Sequence, residues 1–224
     1  MDRIRKVGMH IMSESLNKFT MEVSEINENQ KSIYLNDIKT QIESSIAVKL
    51  KLLEHENLLT QLAQLSIICV RSLHNGGKII FAGNGGSFAD AQHLSAEFTS
   101  RFLFDRAPLA SLALGTNNSA ISAVGNDYGY DQVFARELMG IAKPQDVFIP
   151  ISTSGNSANI LAAVAVAREL NVISVALTGE TGGQLKSVCD CICMPTAETA
   201  RIQECHILVG HILCGLVEKT YFQK

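Results

Sequence analysis

The amino-acid sequence predicts an α/β fold, a five-stranded parallel sheet covered on both faces by helices and preceded by N-terminal helices. Three observations carry this expectation. Five short apolar runs recur along the chain: KIIFA (78–82), LASLAL (109–114), VFIPI (147–151), VISVAL (172–177) and CDCICM (189–194). Each is followed by a segment of helical character, and that alternation builds parallel sheets with both faces covered. The turns after the runs are rich in glycine, asparagine and hydroxyl residues, as expected where strand ends meet helix starts.

The elements follow in order. Apolar residues recur at helical spacing from about Lys31, as Ile38, Ile42 and Ile46, and then as Leu58, Leu62, Leu65 and Ile68/Cys69. These give two helices, the second ended by Asn75-Gly76-Gly77. The first run leads into GNGGS and a helix expected to reach about Leu103. The second leads into a Gly-Thr-Asn-Asn loop and a helix from about Ser119. GNDYGYD (125–131) interrupts that helix, and another follows to about Ala142. After the third run comes STSGNS with a helix to near Leu170; after the fourth, TGETGG and a short helix. The last helix spans about Thr199 to Tyr221.

At 224 residues the chain suits one such domain, expected over 31–224, behind a polar, methionine-rich N-terminal extension, 1–30, expected to be poorly ordered. Hydrophobic residues make up 46% and charged residues only 18%, so much surface should be buried in the fold or against other subunits. A net charge of −3 argues against nucleic acid or an anionic membrane as partner, and a small anionic ligand would need local donors. No run reaches membrane-spanning length and residues 1–6 do not begin a secretory signal, so a cytoplasmic location is expected. The six cysteines form no CxxC pair and read as reduced, buried thiols. Cys189, Cys191 and Cys193 alternate as inward positions of one strand would.

Chemistry concentrates in four places. Gly83, Gly85 and Gly86 let backbone N–H groups approach a ligand, and Ser87 is expected to cap the helix that follows. A dinucleotide fingerprint fits poorly, because Phe88 stands where the third glycine belongs and the second strand ends without an acidic residue. His93 and Glu97 share one face of that helix, as a surface ion pair or as two ligands of a divalent metal. Ser152, Thr153, Ser154 and Ser157 crowd a helix start with more hydroxyls than a cap requires, which favours phosphate. The last helix is apolar nearly all round, yet carries Gln203, Glu204, His206 and His211.

GNGGSFADAQH, VGNDYGYD, STSGNSANI and ARIQECHILVGHI, in this order and spacing, resemble the sugar isomerase (SIS) family, and within it the phosphoheptose isomerases, over about residues 32–222. The resemblance implies a three-layer α/β/α sandwich. It also implies isomerisation of D-sedoheptulose 7-phosphate to D-glycero-D-manno-heptose 7-phosphate through an enediolate, supplying heptose precursors for lipopolysaccharide or capsule. It implies cytoplasmic homotetramers and zinc. Carried onto this chain, Glu97 and His211 become the acid–base pair. Asn84, Gly85, Gly86, Ser87, Glu97, Asn126, Asp127 and Gln203 become substrate contacts, with Ser152, Thr153, Ser154 and Ser157 on the phosphate. His93, Glu97, Gln203 and His211 occupy the zinc positions. Phe88, Asn117 and Ala200 depart from the family pattern, Phe88 narrowing the space beside the glycine loop.

Gln203 and His211 are eight residues apart, roughly 12 Å of rise on a continuous helix, which is too far for one ion. Either the last helix starts after Gln203 or two subunits contribute, and inter-subunit active sites are expected. A non-catalytic SIS protein, a sugar-phosphate sensor and an isomerase of another ketose phosphate on the same scaffold are the alternatives. The presence of both Glu97 and His211 argues against the first, and residues 1–30, too short and too acidic for a DNA-binding segment, against the second.

Overall fold

The computed structural model describes residues 27–223. Two units divide at Ile46/Ala47, and the sheet, its cores and the candidate site all lie in residues 47–224. Of the expected N-terminal extension, residues 1–26 lie outside the described residues, and Glu28 already opens the first helix. The elements are α1 (Glu28–Leu53), α2 (Glu56–His74), β1 (Ile79–Gly83), α3 (Gly86–Thr99), β2 (Ser111–Ala113), α4 (Asn118–Tyr128), α5 (Val133–Ile141), β3 (Val147–Ser152), α6 (Ala158–Glu169), β4 (Ile173–Thr178), β5 (Asp190–Cys193) and α7 (Thr199–Phe222). Short 3₁₀ turns at Tyr130–Gln132 and Gly183–Ser187 complete the set.

The five strands are parallel and lie in the order β2-β1-β3-β4-β5. The central strands β1 and β3 are buried along their whole length without alternation because both faces are covered. Ile79, Phe81, Ile149, Ile151 and Leu177 face a core shared with α2, α3 and α7. Ile80, Ala82, Phe148 and Ala176 face a second core built with α5 and α6. This is the three-layer sandwich that the sequence leads one to expect.

Several boundaries moved. α3 stops at Thr99, four residues short of the expected end, and α4 continues through Gly125, Asn126 and Asp127 to break only at Gly129, whose φ is +89°. The short helix after β4 is a 3₁₀ turn. On β5 the fully buried side chain is Ile192, while Cys191 and Cys193 are half-buried, so the inward expectation for these cysteines is corrected. β5 is an edge strand, and its cysteine face is only partly covered.

His206, on α7, is fully buried, and its Nε2 lies 3.1 Å from the carbonyl oxygen of Thr178, to which it donates at the end of β4. Its Nδ1 is buried without a hydrogen-bond partner among the described residues. Burial pushes its pKa down to about 4, against the opposing pull of the Thr178 carbonyl. A histidine whose folded pKa is depressed stabilises the fold fully above its unfolded pKa and ceases to do so as pH falls through the folded one. Stability should therefore decline by roughly 3 kcal/mol between about pH 6.5 and pH 4, beyond what the carboxylates cause. His206→Asn should flatten this slope in denaturant midpoints measured against pH; an unchanged slope would refute the assignment.

Candidate active site

The sheet order reverses direction between β1 and β3, and α/β sheets open a crevice at the carboxyl ends of the two strands flanking such a point. The loops that leave β1 and β3 here are the two glycine- and hydroxyl-rich motifs. Gly85, with φ +55° and ψ −120°, is the residue before α3, and the helix begins at Gly86. Ser87 is thus inside the first turn, buried, and makes no cap, which corrects the expectation for it. Asn84 locks the loop through a reciprocal amide pair. Its Nδ2 donates to Asn159 Oδ1, and Asn159 Nδ2 donates back to Asn84 Oδ1, both at 2.9 Å. Tyr130 donates its hydroxyl to the same Asn84 oxygen at 3.3 Å. Phe88 does stand beside the loop. Together with Asn84, Gly115 and Tyr130 it walls a cavity of about 160 Å³.

Two hydroxyls of the loop after β3, those of Ser152 and Ser157, face one another, while Ser154 is exposed. Ser152 Oγ lies 3.1 Å from Ser157 Oγ and accepts the N–H of Gly155 at 3.2 Å, and Ser154 Oγ accepts the N–H of Asn156 at 3.1 Å. Thr153 is half-buried, and its carbonyl accepts the N–H of Gly179 at 3.0 Å. Ser157 is the residue before α6, but its side chain makes no cap bond. The first N–H groups of α6 therefore sit beside a cluster of neutral hydroxyls, an arrangement that suits an anion.

His93, Glu97 and His211 converge within one chain, each offering a ligand atom within 4.8 Å of the others. His93 Nε2 is 3.1 Å from Glu97 Oε1 and 3.3 Å from His211 Nε2. Phe102 stacks on the His211 ring at 5.5 Å between centroids. Partial burial lowers the His211 pKa and neighbouring His93 lowers it further, while Glu97 raises it. Two imidazoles and a carboxylate with one side open are the donor set of a catalytic divalent-metal site.

What brings these groups together is the packing of α3 against α7. A Cβ on Gly210 would lie 2.6 Å from both Leu94 methyls, and one on Gly86 would lie 2.7 Å from Gln203 Nε2. The two contacts show the helices running side by side in the same direction, Gly86 opposite Gln203 and Leu94 opposite Gly210. α7 begins at Thr199 and is continuous, so it does not start after Gln203. Gln203 belongs with the glycine loop, and His211 lies about 12 Å further along. Asn126 and Asp127, expected in a loop, are exposed on the last turn of α4, where Asn126 Nδ2 donates to Asp127 Oδ1 at 2.8 Å.

Sequence reasoning missed four residues around these motifs: Phe102, Arg106, Asn159 and Glu218. Glu218 carried a readable signal, as an acid near the end of a largely apolar helix. Asn159, hidden inside the STSGNSANI motif, carried none.

Comparison with known proteins agrees with this architecture. The SIS domain family matches residues 43–179. A phosphoheptose isomerase of Aneurinibacillus thermoaerophilus is 51% identical over 191 residues, 84% of this chain and 96% of that protein. One of Campylobacter jejuni is 49% identical over 188 residues, 84% of this chain and 94% of that protein. The solved structure of a phosphoheptose isomerase from Francisella tularensis superposes with a TM-score of 0.79 at 36% identity, covering 83% of this chain and 98% of that one. The chain belongs to the SIS domain family and, within it, to the phosphoheptose isomerases.

Proposed function

We propose that this protein is a zinc-dependent, cytoplasmic, homotetrameric enzyme that converts D-sedoheptulose 7-phosphate to D-glycero-D-manno-heptose 7-phosphate, the heptose unit for lipopolysaccharide or capsule. The observation that carries the reading is the meeting of His93, Glu97 and His211, with His93 roughly 10 Å along α3 from the glycine loop at its start. In this reading Ser152, Thr153, Ser154 and Ser157 receive the 7-phosphate, helped by the free N–H groups of α6. Asn84, Gly85, Gly86, Ser87, Asn126, Asp127 and Gln203 hold the sugar chain.

The reaction moves one proton between neighbouring carbons. Glu97 accepts the C1 proton as the enediolate forms and returns it to C2, and His211 carries the hydroxyl proton between O2 and O1. The same groups run the reaction in reverse. His93, Glu97 and His211 fit zinc, which when bound supplies a Lewis acid for the carbonyl and a counter-charge for the enediolate oxygen. His93 and Glu97 lie one turn apart on α3, so a rigid helix fixes their spacing.

Gln203, the fourth zinc position of the family pattern, is too far along α7 to join these three in its own subunit. We assign that contribution to a neighbouring subunit. Leu103, Ile212 and Leu216 support this: they are exposed apolar residues close in sequence to Phe102 and His211. Replacing Ile212 and Leu216 with glutamate should yield monomers with little turnover, and a monomer with full turnover would overturn the inter-subunit site.

The direct test is incubation of the purified protein with sedoheptulose 7-phosphate, following aldose formation. Turnover should cease with a chelator and return with Zn²⁺. If the zinc-loaded protein forms no aldose, the proposed activity is wrong.

A further inference from the structure

Outside the candidate site, two almost completely buried charged side chains pair with each other. Arg106 lies on the segment between α3 and β2, with its side chain 2% exposed, and Glu218 lies near the end of α7, with its side chain 0% exposed. Arg106 Nε donates to Glu218 Oε1 at 2.7 Å. The rest of the guanidinium turns to the end of α3. Nη2 donates to the carbonyl of Glu97 at 2.8 Å, and Nη1 to those of Phe98 at 2.8 Å, Ala107 at 3.0 Å and Ser100 at 3.1 Å. The last carbonyls of a helix have no intrahelical donor, and a cation there also complements the helix dipole. Glu218 in turn accepts the backbone N–H of Phe102 at 2.8 Å and of Leu103 at 2.7 Å.

Two of these bonds end on Glu97 and on Phe102, the neighbour of His211, and the others on the residues around them. Glu97 is held by its own carbonyl. Phe102 is held by its own N–H, and its ring stacks on His211. The anchor, Glu218, stands on the same helix as His211, seven residues on. A rigid, forked cation suits such a junction, where lysine could not reach several carbonyls at once.

We propose that the Arg106–Glu218 pair is a positioning device that fixes the separation of Glu97 from His211, and that neither residue touches substrate. The inference rests on Glu97 and His211 forming the acid–base pair. A buried ion pair is weak evidence of stabilisation, because well-packed apolar residues often replace one without loss of stability. A cation with four backbone acceptors does more than balance a charge. A misplacement of about 1 Å at a catalytic group costs up to about 100-fold in turnover.

The test uses Arg106→Lys and the paired swap Arg106→Met/Glu218→Leu, each in the full chain. Both are compared with Glu97→Gln for kcat and KM on sedoheptulose 7-phosphate and for Co²⁺ affinity read from its visible absorption. The swap should stay folded by circular dichroism, with kcat down about 10- to 100-fold and KM within about threefold. Its Co²⁺ affinity should fall about tenfold or more, as expected when support around metal ligands is lost. Arg106→Lys should fall between the parent and the swap on both scales. If a folded swap, or Arg106→Lys should the swap not fold, keeps kcat and Co²⁺ affinity within threefold of the parent, the pair is merely structural and the proposal fails. If Glu97→Gln itself retains turnover, the acid–base assignment has failed instead, and Co²⁺ affinity alone decides whether the pair positions Glu97 and His211.

Discussion

Glu97→Gln should lower kcat by about 10²- to 10⁴-fold while leaving KM and the melting temperature near those of the parent. The substitution keeps the shape of the side chain and removes the carboxylate that the proposed mechanism uses as base and as metal ligand. Glu97 is half-buried on α3, and its side chain has His93 Nε2 at 3.1 Å, a contact that the amide oxygen can still accept. Packing around Leu94 and Phe98, both buried, is untouched. The loss should therefore fall on turnover and not on folding. His211→Asn should behave similarly, since its ring meets His93 at 3.3 Å and lies against Phe102. Steady-state kinetics with circular dichroism at each step separate the two kinds of loss. Turnover by Glu97→Gln within tenfold of the parent would remove Glu97 from the chemistry.

Gly155→Ala should be the most destabilising small substitution near the site, by about 2–5 kcal/mol, from left-handed backbone strain added to overpacking. Gly155 has φ +67°, and a Cβ there would lie 2.0 Å from the carbonyl oxygen of Gly182. The obstacle is backbone, which cannot rotate away as a side-chain tip would. The two loops are also tied by Leu185 donating its N–H to the Gly155 carbonyl at 3.0 Å, and by Gln184 donating its N–H to Asn156 Oδ1 at 2.9 Å. Parting them shifts the Ser152–Ser157 hydroxyl cluster, so KM for a sugar phosphate should rise together with the loss of stability. Denaturant unfolding and KM measured on one preparation check both effects. A stable Gly155→Ala protein with the parent KM would show that this contact does not shape the loop.

Much of the candidate site was legible before any coordinates, because each motif is local. GNGGS and STSGNS follow apolar runs, and a parallel sheet places such loops at strand ends without further information. His93 and Glu97 are one helical turn apart, so their shared face follows from periodicity alone. Errors came where tertiary packing overrode local preference. Ser87 looks like a cap, yet Gly85 takes the unusual dihedrals and draws Ser87 into the helix. GNDYGYD looks like a break from its first glycine, but α4 carries Gly125 within it and stops at Gly129.

The chain alone determined the α/β class, the number of strands, the two anion-suited loops and the identity of the acid–base candidates. The first three depend on periodicity and on residue types a few positions apart, whereas Glu97 and His211 as acid–base candidates follow from the resemblance to the SIS family. Only the tertiary structure decided that His211 reaches His93 and Glu97 in the same subunit while Gln203 sits with Gly86, because parallel contact between α3 and α7 fixes their relative register. It alone also showed Arg106 joining the end of α3 to Glu218, a contact across 112 residues. Contacts between positions so far apart leave no periodic trace in a single sequence, and the buried charges that make them become visible only when the helices are packed.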